Sequence, residues 1–260
     1  MYCGEIIRII EAQWEPDSAC DWDNVGLLVG KKEKQVKKIM LALDATEDVI
    51  RQAEDREADM LITHHPMIFR GIKHITSDDF IGRKILSLVR ADISYYAMHT
   101  NFDVRTMATE AAKRLGLAEC QVLEYTGEVE GEVLGIGQVG LLPDVMTLLQ
   151  CADKVKKDFQ LEHVKVFGDM DAAIRKAAIS PGSGKSEIKH ALRAGADVLI
   201  TGDIDHHDGI DAMEQGLTII DAGHYGLEQI FSDYMEDFLN KKLENVIIMK
   251  GMEKSPFQVI

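Results

Sequence analysis

Cysteine is scarce in this chain. Four residues (Cys3, Cys20, Cys120 and Cys151) are spread over 260 positions, and no two form a C-x-x-C pair. That excludes a disulfide framework and a thiolate zinc site and fits free thiols in a reducing compartment. Positive charge is also short: 29 Lys and Arg stand against 44 Asp and Glu, a formal net charge of -15. An acid surplus of that size argues against a sequence-independent grip on phosphate backbones, so nucleic acid is not an expected partner. No apolar run approaches membrane-spanning length. The opening stretch, Met1 to Glu15, sets Glu5 and Glu11 among Ile6, Ile7, Ile9 and Ile10. It reads as an amphipathic helix ending before Pro16 rather than a signal peptide, and a cytoplasmic protein is expected.

What is present is an ordinary globular composition, 46% hydrophobic and 28% charged, long enough for two domains or one large one. Apolar runs that read as strands alternate with helical periodicity. Ile39 to Asp44 is a strand, Thr46 or Asp44 can cap a helix reaching about Glu57, and Asp59-Met-Leu-Ile-Thr63 is the next strand. That is a βαβ unit, hence parallel strands. Phe80 to Arg90 is helical, Asp92 to Met98 is a strand, and Thr106 to Leu115 is a helix closed by Gly116.

Two glycine motifs fail on inspection. Gly135, Gly137 and Gly140 spell G-x-G-x-x-G, but the stretch alternates like a strand and runs on into Leu141, Leu142 and Pro143, so no dinucleotide site is expected. Pro143-Asp144 is expected to open a helix instead. Ser180 to Ser186 ends in Gly184-Lys185-Ser186, yet the phosphate-loop pattern would require glycine where Ile179 stands. A glycine-rich turn before a helix remains, able to offer N–H groups to an anion.

The histidines are placed less ordinarily. Six of nine (His64, His65, His99, His206, His207 and His224) lie just past an apolar strand. Ligands of open α/β sheets bind at the carboxyl ends of strands. Ala58-Asp-Met-Leu-Ile-Thr63 precedes His64-His65, and Ala196-Asp-Val-Leu-Ile-Thr201 precedes His206-His207, 138 residues later. One further helix-and-strand step brings His99 and Asp103 in the first half, and His224 with Glu228 in the second. The expectation is an α/β fold of two similar, internally duplicated units with mainly parallel sheets and a metal site between them. The domains expected are 1–125 with 225–260, and 126–224, without an extra inserted domain. Imidazole and carboxylate without thiolate suits Zn, Fe, Mn, Ni or Co.

Taken together, Asp21-Trp-Asp-Asn-Val-Gly-Leu-Leu-Val-Gly30, Thr63-His-His-Pro66, His99-Thr-Asn-Phe-Asp103 and Asp221-Ala-Gly-His224 with Glu228 resemble the Nif-three-like dinuclear metal family, also labelled GTP cyclohydrolase type 2. The resemblance covers essentially the whole chain. It implies two divalent transition-metal ions per chain, with His64, His65, Asp103, His224 and Glu228 as ligands and Asp103 bridging. It also implies a toroidal homohexamer.

Two functions of different class follow. In the first, the metals make hydroxide available at neutral pH and the chain hydrolyses a nucleotide, as in GTP ring opening, with His99, His206 or His207 moving protons. In the second, the chain is a non-catalytic metal-binding or metal-delivery scaffold.

Overall fold

The computed structural model describes residues 1–259. The chain forms two compact α/β units: Met1–Phe102 together with the segment from Phe231 onward, and Asp103–Ile230.

The first unit is built on a five-stranded mixed sheet. In chain order its elements are α1 (Cys3–Glu11), β1 (Gly26–Val29), β2 (Lys38–Ala42), α2 (Glu47–Asp55), β3 (Met60–Thr63), α3 (Phe80–Arg90), β4 (Ser94–Ala97) and the short turn α4 (Thr100–Phe102). The sheet order is β1-β4-β3-β2-β11, where β11 is Ile247–Lys250 from the end of the chain. β4, β3, β2 and β11 run parallel, and β1 pairs antiparallel at the edge. Both strands lie inside the sheet and are buried at every position, which fits the apolar Met60-Leu-Ile62 of β3, flanked by parallel neighbours on both sides. Met40, Ala42, Leu61 and Tyr95 pack against Val49 and Ile50 of α2 and Leu88 of α3. Trp14 is fully buried, with Phe102 5.5 Å and Phe238 4.7 Å away between ring centroids. Thr46 caps α2 by accepting from the Val49 N–H, which leaves Asp44 for another role.

The second unit carries a six-stranded mixed sheet of order β5-β6-β8-β9-β10-β7. A π-helical stretch, Asp103–Met107, leads into α5 (Ala108–Leu115), which ends on Gly116 at φ +72°. There follow β5 (Ala118–Val129), β6 (Glu132–Thr147), α6 (Leu148–Phe159), β7 (Lys165–Phe167), β8 (Ala173–Ser183), α7 (Ile188–Ala194), β9 (Val198–Gly202), α8 (His206–Glu214), β10 (Thr218–Asp221) and α9 (His224–Glu228), while α10 (Ile230–Lys242) belongs from Phe231 onward to the first unit. β8, β9 and β10 are parallel, whereas β5, β6 and β7 pair antiparallel.

Both sheets are therefore mixed. The helix expected at Pro143 starts later: β6 runs on to Thr147, and α6 opens at Leu148. A capping box sets that start, with the Gln150 N–H on Thr147 Oγ1 and the Thr147 N–H on Gln150 Oε1. The G-x-G-x-x-G stretch lies inside β6, as its alternation indicated. Among the described residues no helix is long and apolar enough to cross a membrane.

Candidate metal centre

β3 carries the first histidine pair to the end of its sheet. The backbone continues to bond β2 beyond Thr63: His64 N–H donates to the Ala42 carbonyl (3.2 Å) and His65 N–H to that of Leu43 (2.9 Å). A buried tyrosine fixes the turn that follows. Met67 N–H donates to the Tyr95 hydroxyl oxygen (2.8 Å), and that hydroxyl donates to the His65 carbonyl (3.0 Å). Burial pushes Tyr95 up to about 12, so its proton stays in place.

Each strand-end imidazole is gripped through Nδ1. His64 Nδ1 donates to the Met98 carbonyl oxygen (3.0 Å), His65 Nδ1 to Asp44 Oδ1 (3.1 Å) and His99 Nδ1 to Asp23 Oδ1 (2.9 Å). In the second unit His224 Nδ1 donates to Asp203 Oδ2 (2.8 Å). Carbonyl and carboxylate oxygens only accept, so each neutral ring holds its proton on Nδ1 and its lone pair on Nε2. Metal-ligating histidines are oriented in this way.

In the first unit, one donor atom each from His64, His65 and His99 lies within 4.8 Å of the others. Asp23 anchors this group with a fully buried side chain. Burial alone would raise its pKa. The bonds from His99, Thr100 Oγ1 (2.6 Å) and Thr100 N–H (3.0 Å) outweigh it and hold the carboxyl at about 2. Trp22 and Phe69, both exposed, stand at the rim of the group. Their rings are 5.6 Å apart, and Trp22 meets His99 edge-on at 5.8 Å.

The second unit builds its part at the end of β10. Asp221 receives the Gly223 N–H on Oδ1 and the Ile204 N–H on Oδ2, both at 3.1 Å, and Lys165 Nζ lies 2.8 Å from Oδ2. Gly223, at φ +77°, turns the chain into α9, so that His224 opens the helix and Glu228 follows one turn later. His224 Nε2 is 3.0 Å from Glu228 Oε2, and Glu228 is buried. With Nδ1–H committed to Asp203, a neutral His224 would turn a lone pair toward a carboxylate. Either a second ring proton or a cation satisfies both atoms, so this donor set fits a metal ion. Gly202 is where the neighbouring strand makes room: a Cβ there would fall 2.4 Å from the His224 nitrogen.

The remaining sequence candidates sit as follows. Asp103 is half-buried and begins the π-helical stretch, a local widening often found at functional positions. His206 and His207 do not follow β9 as His64 and His65 follow β3. They open α8, exposed, with Asp205 as N-cap accepting from the His207 and Asp208 N–H groups. The residue directly after Thr201, where His64 follows Thr63, is Gly202. Among the described residues neither His206 nor His207 joins a group of three metal donors.

The carboxylates that orient the rings were not singled out for that role by sequence. Asp44 offered itself only as a possible helix cap. A signal exists: Asp44 and Asp203 each lie just past the end of a strand parallel to the one that delivers the histidine.

Comparison with known proteins agrees with the motif resemblance. The family model described as Duf34/NIF3 (NGG1p interacting factor 3) matches residues 1–256, and the chain belongs to this family. Among curated proteins it is similar to a "GTP cyclohydrolase 1 type 2 homolog" of Clostridium perfringens, 36% identical over 264 residues and all of both chains. Another of that name, from Clostridium acetobutylicum, is 38% identical over 89% of this chain and 85% of its own. Among solved structures, a Bacillus cereus protein related to NIF3 superposes with a TM-score of 0.91 at 26% identity, over 100% of this chain and 99% of that one.

Proposed function

We propose that the chain binds two divalent transition-metal ions (Zn, Fe, Mn, Ni or Co) through His64, His65, Asp103, His224 and Glu228 and hydrolyses a nucleotide, in a ring opening of the GTP cyclohydrolase kind. The observation that carries this reading is the contact of His224 Nε2 with Glu228 Oε2 at 3.0 Å, since the ring's other nitrogen is committed to Asp203. It is supported by the same Nδ1 grip on His64 and His65, and by relatives named GTP cyclohydrolase 1 type 2 homologs.

Two such ions, when bound, supply the Lewis acidity that makes water a nucleophile at neutral pH. The chain's residues do the rest. Asp23 holds His99 so that Nε2 can accept and return a proton. Trp22 and Phe69 offer exposed ring faces on which a planar base can stack. His206 and His207, exposed at the start of α8, orient substrate or pass protons.

We infer further that the units descend from a duplicated α/β step. β2-β3-β4 and β8-β9-β10 are each parallel triplets with the Ala-Asp-x-Leu-Ile-Thr strand in the middle. The assembly proposed is a cytoplasmic homohexamer, and light scattering at micromolar concentration should give about six chain masses; a monomer mass refutes it. The functional test is turnover of GTP by metal-loaded protein. Formate release abolished by chelation supports hydrolysis. Stoichiometric metal without turnover of GTP or phosphoesters assigns the chain to metal binding or delivery instead.

A further inference from the structure

The second unit contains another donor cluster that shares no residue with the proposed ligand set. Glu124 lies on β5 at the sheet edge, Glu187 ends the 3-10 turn Lys185–Glu187, and His190 follows in the first turn of α7. One donor atom from each lies within 4.8 Å of the others. Three features distinguish the group from acids gathered on a surface. Glu187 is only 1% exposed, and its Oε2 is buried without a hydrogen bond. His190 Nε2, also buried and without a well-aligned hydrogen bond, sits 3.3 Å from Glu124 Oε1. The Glu124 side chain keeps 33% of its exposure, which leaves the cluster open to water on one side.

A carboxylate oxygen with no donor in a buried position is costly unless a positive charge meets it. Ser186 hydrogen-bonds Glu187 and Lys189 lies near it, yet burial, then the neighbouring Glu124 charge and a proton shared with that carboxylate, push Glu187 up to about 7. A cation between the two carboxylates and the imidazole would relieve both effects at once.

We propose that Glu124, Glu187 and His190 form a separate site for one divalent transition-metal ion of the zinc or manganese kind. Two carboxylates and one imidazole suit those ions better than a soft, thiolate-seeking metal. Three protein ligands, one of them partly exposed, leave coordination positions to solvent. The site therefore exchanges its ion more readily than a closed structural one.

Equilibrium dialysis of the chelator-stripped full chain against zinc, followed by metal counting, tests this. Glu187→Gln should bind one zinc equivalent fewer than the unaltered chain. Glu124→Gln, on an accessible edge-strand position with little bearing on folding, should lose the same equivalent. Neither change touches His64, His65, Asp103, His224 or Glu228, so the result stands apart from the fate of that set. Equal zinc counts in the unaltered chain and in a folded Glu124→Gln variant would overturn the proposal.

Discussion

Asp23 Oδ1 lies 2.9 Å from His99 Nδ1, and it joins the turn before β1 to the end of β4. The carboxylate accepts four bonds: from His99, from the Asn24 N–H (2.8 Å), and from the N–H and Oγ1 of Thr100. Asp23→Asn keeps the shape but turns an NH2 group toward one of these donors. The expected loss is about 1–3 kcal/mol in urea unfolding, the usual cost of a disrupted buried hydrogen bond to a charged group. Any hydrolytic rate should fall with it, because His99 loses the charged acceptor that fixes its tautomer.

Gly202 gives a steric prediction. A methyl group there would meet the His224 nitrogen at 2.4 Å and the Gly223 carbonyl carbon at 2.8 Å, both backbone atoms that cannot swing aside. Gly202→Ala should cost about 1–3 kcal/mol of stability in a denaturant melt. It should also lower metal content by displacing His224, while Gly195→Ala, where nothing lies within 4 Å of the new atom, should leave metal content unchanged.

The two histidine pairs should differ in role. His64 and His65 continue the edge of β3 toward β2, whereas His206 and His207 begin a helix at the surface. His207→Ala should retain near-normal metal content while any hydrolytic rate drops ~10²–10⁴-fold, the usual range for lost general acid–base help. His64→Ala should lose both metal and rate. Equal metal loss in the two variants would place His207 among the ligands.

The parallel strands and the histidines at their ends were legible because a buried parallel strand is a nearly continuous apolar run, as at Met60–Ile62, and a histidine pair just after it breaks the pattern. The antiparallel part of the second sheet was harder to read. β5 is an edge strand with mostly exposed or half-buried residues, so its sequence, Ala118–Val129, shows little hydrophobic alternation. The start of α6 was misplaced because Pro143-Asp144 resembles a helix opening, while the Thr147–Gln150 capping box three residues on is what fixes it. Equating the second His-His pair with the first rested on a shared strand motif. The intervening Asp203–Asp205, which separates His206 from the end of the strand, decides its placement. The orienting role of the aspartates was not legible because each bonds a histidine 21 residues or more away, across a strand pairing that composition does not reveal.

The proposed dinuclear site would hold two metal ions on five side chains. Diffraction from crystals grown with saturating zinc, recorded on both sides of the zinc absorption edge, tests it most directly. The expected anomalous difference map contains two peaks whose ligands are His64, His65, Asp103, His224 and Glu228, and in His65→Ala crystals at least one of them is gone. A map from zinc-saturated crystals with no peak at these residues would contradict the account.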